Sequence, residues 1–223
     1  MPNRLIDRIG ALTGVAYVVL VALGNDILRA ASPDSSASSQ VIGAWWRAHP
    51  PGTYEWSLAF LELVALLCFP VFVVVLAWRL READRGSWLP WLALVAGSLS
   101  ACVKLASGAP IFALAWRSGS GGVSDELATA LVDMNSAAFV LTWALDAVML
   151  AAAARVILTT SCLPRWIGWF AAVTAPLVLV TVPLAMNGPP AFLLALIWIV
   201  ATSITMAVRP PGHARSPAAT AVS

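Results

Sequence analysis

Six apolar stretches, each long enough to cross a bilayer as a helix, constrain what this chain can fold into. They run approximately over Ile9–Leu28, Ser57–Trp78, Leu89–Ala115, Ser136–Ile157, Trp166–Met186 and Ala191–Val208. A helix rises about 1.5 Å per residue and the hydrocarbon core is about 30 Å thick, so about 20 apolar residues span it. Lipid offers backbone groups no hydrogen bonds, and a helix satisfies them internally. No stretch alternates with period two over ten residues, which argues against a barrel. The expected fold is therefore all-α: a polytopic membrane helix bundle of about six transmembrane helices, one domain over residues 1–208. Composition agrees, with 60% hydrophobic and 11% charged residues, against about 25% charged in soluble domains.

Arginines set the expected orientation. With the N-terminus inside, the inner segments hold nine (Arg4, Arg8, Arg79, Arg81, Arg85, Arg155, Arg165, Arg209, Arg215) and the outer segments three (Arg29, Arg47, Arg117). By the positive-inside rule both termini are then cytoplasmic. Trp78, Trp88, Trp91, Trp166 and Trp169 mark the inner edge; Trp45, Trp46, Trp56 and Trp116 mark the outer one. Arg4 and Arg8 precede the first span as they would a signal peptide. Its long apolar run, with no small-x-small site after it, reads instead as a retained helix. The longest outer segment, Ala30–Glu55, passes from a polar SPDSSASS run into QVIGAWWRAHPPG. The latter reads as a short amphipathic helix on the outer leaflet near residues 39–49, stopped by Pro50 and Pro51. Residues 209–223, rich in Pro, Ala and Ser, read as a disordered cytoplasmic tail. Twelve arginines against one lysine, with abundant Ala and Val, match a GC-rich bacterial genome. The expected location is the plasma (inner) membrane, crossed several times.

A net charge of +2 without a basic stripe excludes nucleic acid as a partner. The three cysteines form no C-x-x-C pair, and His49 and His213 lie far apart, so no metal is expected. There is no nucleotide-binding loop, G-x-S-x-G elbow, haem-type histidine pair or paired-aspartate prenyl-diphosphate motif, and no cofactor is expected. The partners left are the lipid bilayer and a small-molecule or proton ligand. Oligomeric state is not legible.

The chemistry concentrates around Lys104, the only lysine, in an otherwise uncharged run from Leu89 to Ala115. An ammonium in hydrocarbon costs from about 3 to over 10 kcal/mol, so it needs a partner, a wet cavity or a task. From the helical rise, Lys104 lies roughly 20 Å above the inner belt, Glu62 roughly 24 Å and Asp146 roughly 13 Å. A lysine side chain can snorkel about 6 Å, which brings both acids within vertical reach. The candidate polar cluster is Glu62 as proton or cation acceptor, Lys104 as counter-ion and Asp146 as second acid. Asp26 joins them at the outer end, as do Asp133 and Asn135 if the fourth helix starts early, near Glu126. The structural alternative is a Glu62–Lys104 ion pair that locks two helices. Two deep acids share one deep base, so the unpaired acid is expected to hold a proton. Asp146 is that acid if Lys104 pairs with Glu62, the nearer in depth. Gly108-Ala-Pro110 follows one turn later, where a proline frees a carbonyl beside the charge, as at broken helices in transporters. The expected function is binding or transport of a small molecule or proton through an intramembrane polar pocket. The alternatives are an intramembrane enzyme using Glu62 or Asp146 as general acid on a lipid-like substrate, and a non-catalytic membrane partner subunit.

Arg8-Ile-Gly-Ala opens the first span, Leu61-Glu62-Leu63 lies in the second, a lone basic residue in the third, and Leu163-Pro164-Arg165-Trp166 opens the fifth. In these features the chain resembles the six-helix bacterial membrane family called domain of unknown function 4386. Lys104 stands where that pattern has an arginine, and the acid that follows it there is absent here. The family has no established activity, so the resemblance implies a six-helix fold and a membrane location only.

Overall fold

The computed structural model describes residues 4–24, 33, 36–120, 122–184 and 191–208. Among the described residues its regular elements are helices: α1 (Arg4–Gly24), α2 (Ser39–Ala48), α3 (Thr53–Ala83), α4 (Leu89–Gly119), α5 (Asp125–Thr160), α6 (Arg165–Thr181) and α7 (Phe192–Val208), with a 3-10 turn at Val182–Leu184 after α6. Asp26 and the 209–223 tail lie outside the described residues.

Local chemistry sets the ends. The Glu55 carboxylate accepts the Gly52 N–H at 2.8 Å and starts α3. Pro90 lies in the first turn of α4, where its missing N–H is no loss. Ser124 caps α5, its hydroxyl accepting the Leu127 N–H at 3.2 Å. Asp125 and Glu126 follow in the first turn, where carboxylates suit the helix dipole. The fourth apolar stretch, expected from Ser136, is thus the inner part of a 36-residue helix. At its far end Ser161 takes a left-handed conformation, φ 56°, and closes α5.

Four helices, α1, α3, α4 and α5, are long and apolar enough to cross a membrane. The two others, α6 and α7, are apolar but only 17 residues each, or about 25 Å. The fifth apolar stretch, expected to reach Met186, leaves the α-helix at Thr181. Pro183 follows in the 3-10 turn, where it cannot donate to an α-helical ladder.

Apart from α2, each helix packs on the next in the order α1, α3, α4, α5, α6, α7, and α7 packs back on α1. The six form a closed ring. Its interior holds Tyr17, Phe69, Phe72, Leu76, Leu80, Met149, Leu150, Trp198 and Met206, all buried. The Trp198 indole N–H ties α7 to α6 through the Ile167 carbonyl at 3.0 Å. Glycine brings backbones close: a Cβ on Gly97 of α4 would lie 2.7 Å from Val73 of α3 and 2.8 Å from Met149 Sδ of α5. Close approach at small residues is how helices associate in lipid. The outer surface is apolar too, with Val71, Val74, Val95, Leu99, Leu177 and Ile197 exposed. Such a wall suits acyl chains rather than water, and the chain is a membrane-embedded helical protein.

α2 lies across one end of the ring, on α4 and α5. Ile42 and Trp46 bury their side chains with Leu114, Val123 and Ala128. Arg47 pairs with Asp125 at 2.7 Å and donates to the Val123 carbonyl at 3.2 Å. Gly43 is required here, because a Cβ would stand 2.8 Å from the Asp125 Cα.

Candidate functional site

Ser100, Lys104 and Ser107 share one face of α4, spaced four and three residues apart; Asn135, Thr142 and Asp146 share one face of α5. These two faces meet inside the ring. Lys104 Nζ donates to Asp146 Oδ2 at 2.8 Å, and the Ser100 hydroxyl donates to Asp146 Oδ1 at 2.6 Å. Both oxygens of the carboxylate are therefore engaged. Lys104 and Asp146 are each only 7% exposed. The ammonium also lies 4.7 Å from the Phe69 ring centroid and 5.8 Å from that of Tyr17. Those two rings, on α3 and α1, pack 4.7 Å apart. A desolvated cation gains about 2 kcal/mol from such a ring face. Four helices thus converge on one charge.

Lys104 was expected to contact Glu62, Asp146 or both; its ion-pair partner is Asp146, although the depth estimate put Glu62 closer. Side-chain direction explains this. A helical side chain leans toward its own N-terminus. α4 begins at the end opposite α2, so Lys104 reaches back over Ser100, one turn earlier, and meets Asp146 there. Asp146, expected as the proton-holding acid, is instead the lysine's counter-ion.

Beyond Lys104 toward α2, two further side chains bond carbonyls of the α4 backbone. The Ser107 hydroxyl donates to the Lys104 carbonyl at 2.7 Å, and the Asn135 amide donates to the Ser107 carbonyl at 2.7 Å. This carbonyl is next to that of Ala106, which Pro110 leaves without its helical donor. α4 nevertheless runs unbroken through Pro110 to Gly119.

Asn135 is also in the wall of a cavity of about 360 Å³ beneath α2, with Glu62, Ser136 and Gly108 among its inner residues. Trp46, Trp56 and Phe112 supply its aromatic wall, the last two with ring centroids 5.8 Å apart. Gly108 is open to this space, with no atom closer than 3.9 Å to where a Cβ would be. The ion pair lies about one helical turn further in, behind Ser107, and is closed off from the cavity.

The structure therefore joins Lys104 to Asp146 directly, sets Asn135 against the α4 backbone at Ser107, and places Glu62 in the cavity above. Asp133, expected to share that cavity, is exposed on the other side of α5. Two positions along a helix turn a side chain by about 200°, so Asp133 and Asn135 cannot face the same space. Ser100, Ser107, Tyr17 and Phe69 were not anticipated. The two serines were discoverable as a polar stripe around Lys104; the two rings, on other helices, carry no such signal. Among the described residues no group of three His, Cys, Asp or Glu side chains could hold a metal. No family model, curated protein or solved structure matches the chain.

Proposed function

We propose that this is a multi-pass plasma-membrane protein that binds a small polar solute or proton in the cavity beneath α2 and couples that site to the Lys104–Asp146 pair. In this reading all six ring helices cross the bilayer, both termini are cytoplasmic, and α2 covers the outer mouth. At 17 residues, α6 and α7 are at the short end of the spanning range. The carrying observation is that Asn135, in the cavity wall, bonds the α4 backbone at Ser107, about one helical turn from the buried Lys104–Asp146 pair. A buried charge in a membrane protein is costly and usually marks a pathway or a binding site. Here a cavity with Glu62 and Asn135 in its wall lies about one helical turn from it. Glu62 provides an acceptor for a cation or proton, and Asn135 orients whatever enters.

The test uses the purified protein in liposomes loaded with a pH-sensitive dye, under an imposed membrane potential. Proton uptake above protein-free liposomes, lost in Asp146→Asn and reduced in Glu62→Gln, is expected for the proton reading. For a solute, the part of the tryptophan emission that is lost in Trp46→Phe with Trp56→Phe should respond to one class among small amines, carboxylates and sugars. No flux and no emission change with any class would overturn the proposal.

A further inference from the structure

A second recess opens at the opposite end of the ring, between the end of α3 and the start of α4, with a volume of about 470 Å³. Its walls are Val74, Ala77 and Leu94 on the membrane side and Trp78, Trp91, Arg81 and Arg85 at the rim, with Glu82 beside them. Glu82 accepts the Trp78 indole N–H at 3.1 Å. Arg81 is held in place: its guanidinium lies 5.7 Å from the Trp91 ring centroid and donates to the Arg85 carbonyl. No carboxylate among the described residues pairs with Arg81 or Arg85. Trp78 and Trp91 are 66% and 54% exposed, although tryptophan is costly to leave in water and belongs at the headgroup level of a bilayer. The N-terminus of α4 adds its partial positive charge at the same rim.

The geometry points to a binding site for an anionic phospholipid, with the phosphodiester on Arg81 and Arg85 and one acyl chain along Val74, Ala77 and Leu94. This inference rests on the chain being membrane-embedded in the orientation proposed above, and is independent of the cavity beneath α2. The apolar trough alone would take any acyl chain. Two arginines without acidic partners among the described residues select a negative headgroup at its mouth, and Arg81 is already held against Trp91. The arginine distribution assigns this end to the cytoplasmic leaflet, where anionic lipids attract basic residues near the surface. A guanidinium also suits a phosphodiester better than an ammonium does, through its planar pair of donors.

The test is native mass spectrometry of the full chain released from mixed micelles of phosphatidylglycerol and phosphatidylcholine. The wild type should retain about one phosphatidylglycerol in preference to phosphatidylcholine. Arg81→Gln with Arg85→Gln should lower that preference at least tenfold, at roughly fivefold per basic residue near a membrane surface. Arg155→Gln removes an exposed arginine at the same end but outside the recess, and should change nothing. Leu94→Trp keeps both arginines and fills the trough, and should also release the lipid. Equal retention in the double variant, or an equal loss in Arg155→Gln, would overturn the proposal. So would displacement of the lipid by millimolar glycerol phosphate, which would make the occupant a free phosphate rather than a lipid. Circular dichroism of each variant, with retained helicity, separates loss of the site from loss of the fold.

Discussion

Replacing Lys104 by Met isolates the energetics of the buried pair. The thioether keeps much of the volume and still packs against Phe69 and Tyr17, so cavity formation contributes little. What changes is that Asp146, 7% exposed, loses the 2.8 Å ammonium and keeps only the Ser100 hydroxyl. Removing one partner of a buried pair typically costs about 3–5 kcal/mol. Ser100 still satisfies one oxygen, which argues for the lower end, about 3 kcal/mol, or over a hundredfold in the folded-to-unfolded ratio. Asp146→Asn in the same background removes the stranded charge and should restore most of that loss. The assay is denaturant-induced unfolding in mixed micelles, followed by helicity, for the wild type, both single variants and the double variant. The four free energies give a coupling term, expected to exceed about 2 kcal/mol in favour of the pair. A coupling below about 0.5 kcal/mol, with additive losses, would refute the claim that these two residues act as a unit, whatever their distance.

Gly43→Ala should loosen α2 more than Arg47→Ala does. The added methyl meets the backbone of Asp125, which cannot yield, while the Arg47–Asp125 pair is part-exposed at 41% and 27% and worth at most about 1 kcal/mol. Faster amide exchange in α2 for the glycine variant alone would bear this out; the reverse order would contradict it. Membrane-impermeant thiol reagents should label Ser36→Cys in intact cells and Ser87→Cys only after permeabilisation, and external labelling of Ser87→Cys would reverse the proposed orientation. Burial pushes the Cys162 thiol up from its ordinary range. Its alkylation by a water-soluble maleimide should therefore be slow at pH 7 and climb well beyond pH 9, measured on the tryptic peptide. Fast modification at pH 7 would mean that the α5–α6 turn does not bury it.

The apolar periods located every ring helix, because hydrocarbon tolerates little else, and the Gln40–Arg47 amphipathic run located α2. Helix ends were less legible. The hydropathy of α5 is high only from Ser136, yet the helix starts at Asp125 because Ser124 caps it and two carboxylates occupy its first turn. Such polar first turns are invisible to a search for apolar length. Around Lys104, depth along the helix axis was legible and azimuth was not. Asp146 and Glu62 were both reachable by height; the lean of the side chain toward Ser100 chose between them. Asp133 failed for the related reason that neighbours in sequence on a helix are not neighbours in space.

The pair of charges lies on successive helices, 42 residues apart in the chain. At a synthesis rate of about 5–20 residues per second, Lys104 leaves the ribosome about 2–8 s before Asp146. Throughout that delay α4 carries an uncompensated ammonium, which costs about 3 kcal/mol or more in lipid. Release of α4 and α5 as one hairpin would match the two charges before either meets lipid, and is the order expected if both helices cross the bilayer as proposed. A nascent chain stalled before Asp146 should leave α4 in contact with the translocon, and one stalled well after it should not.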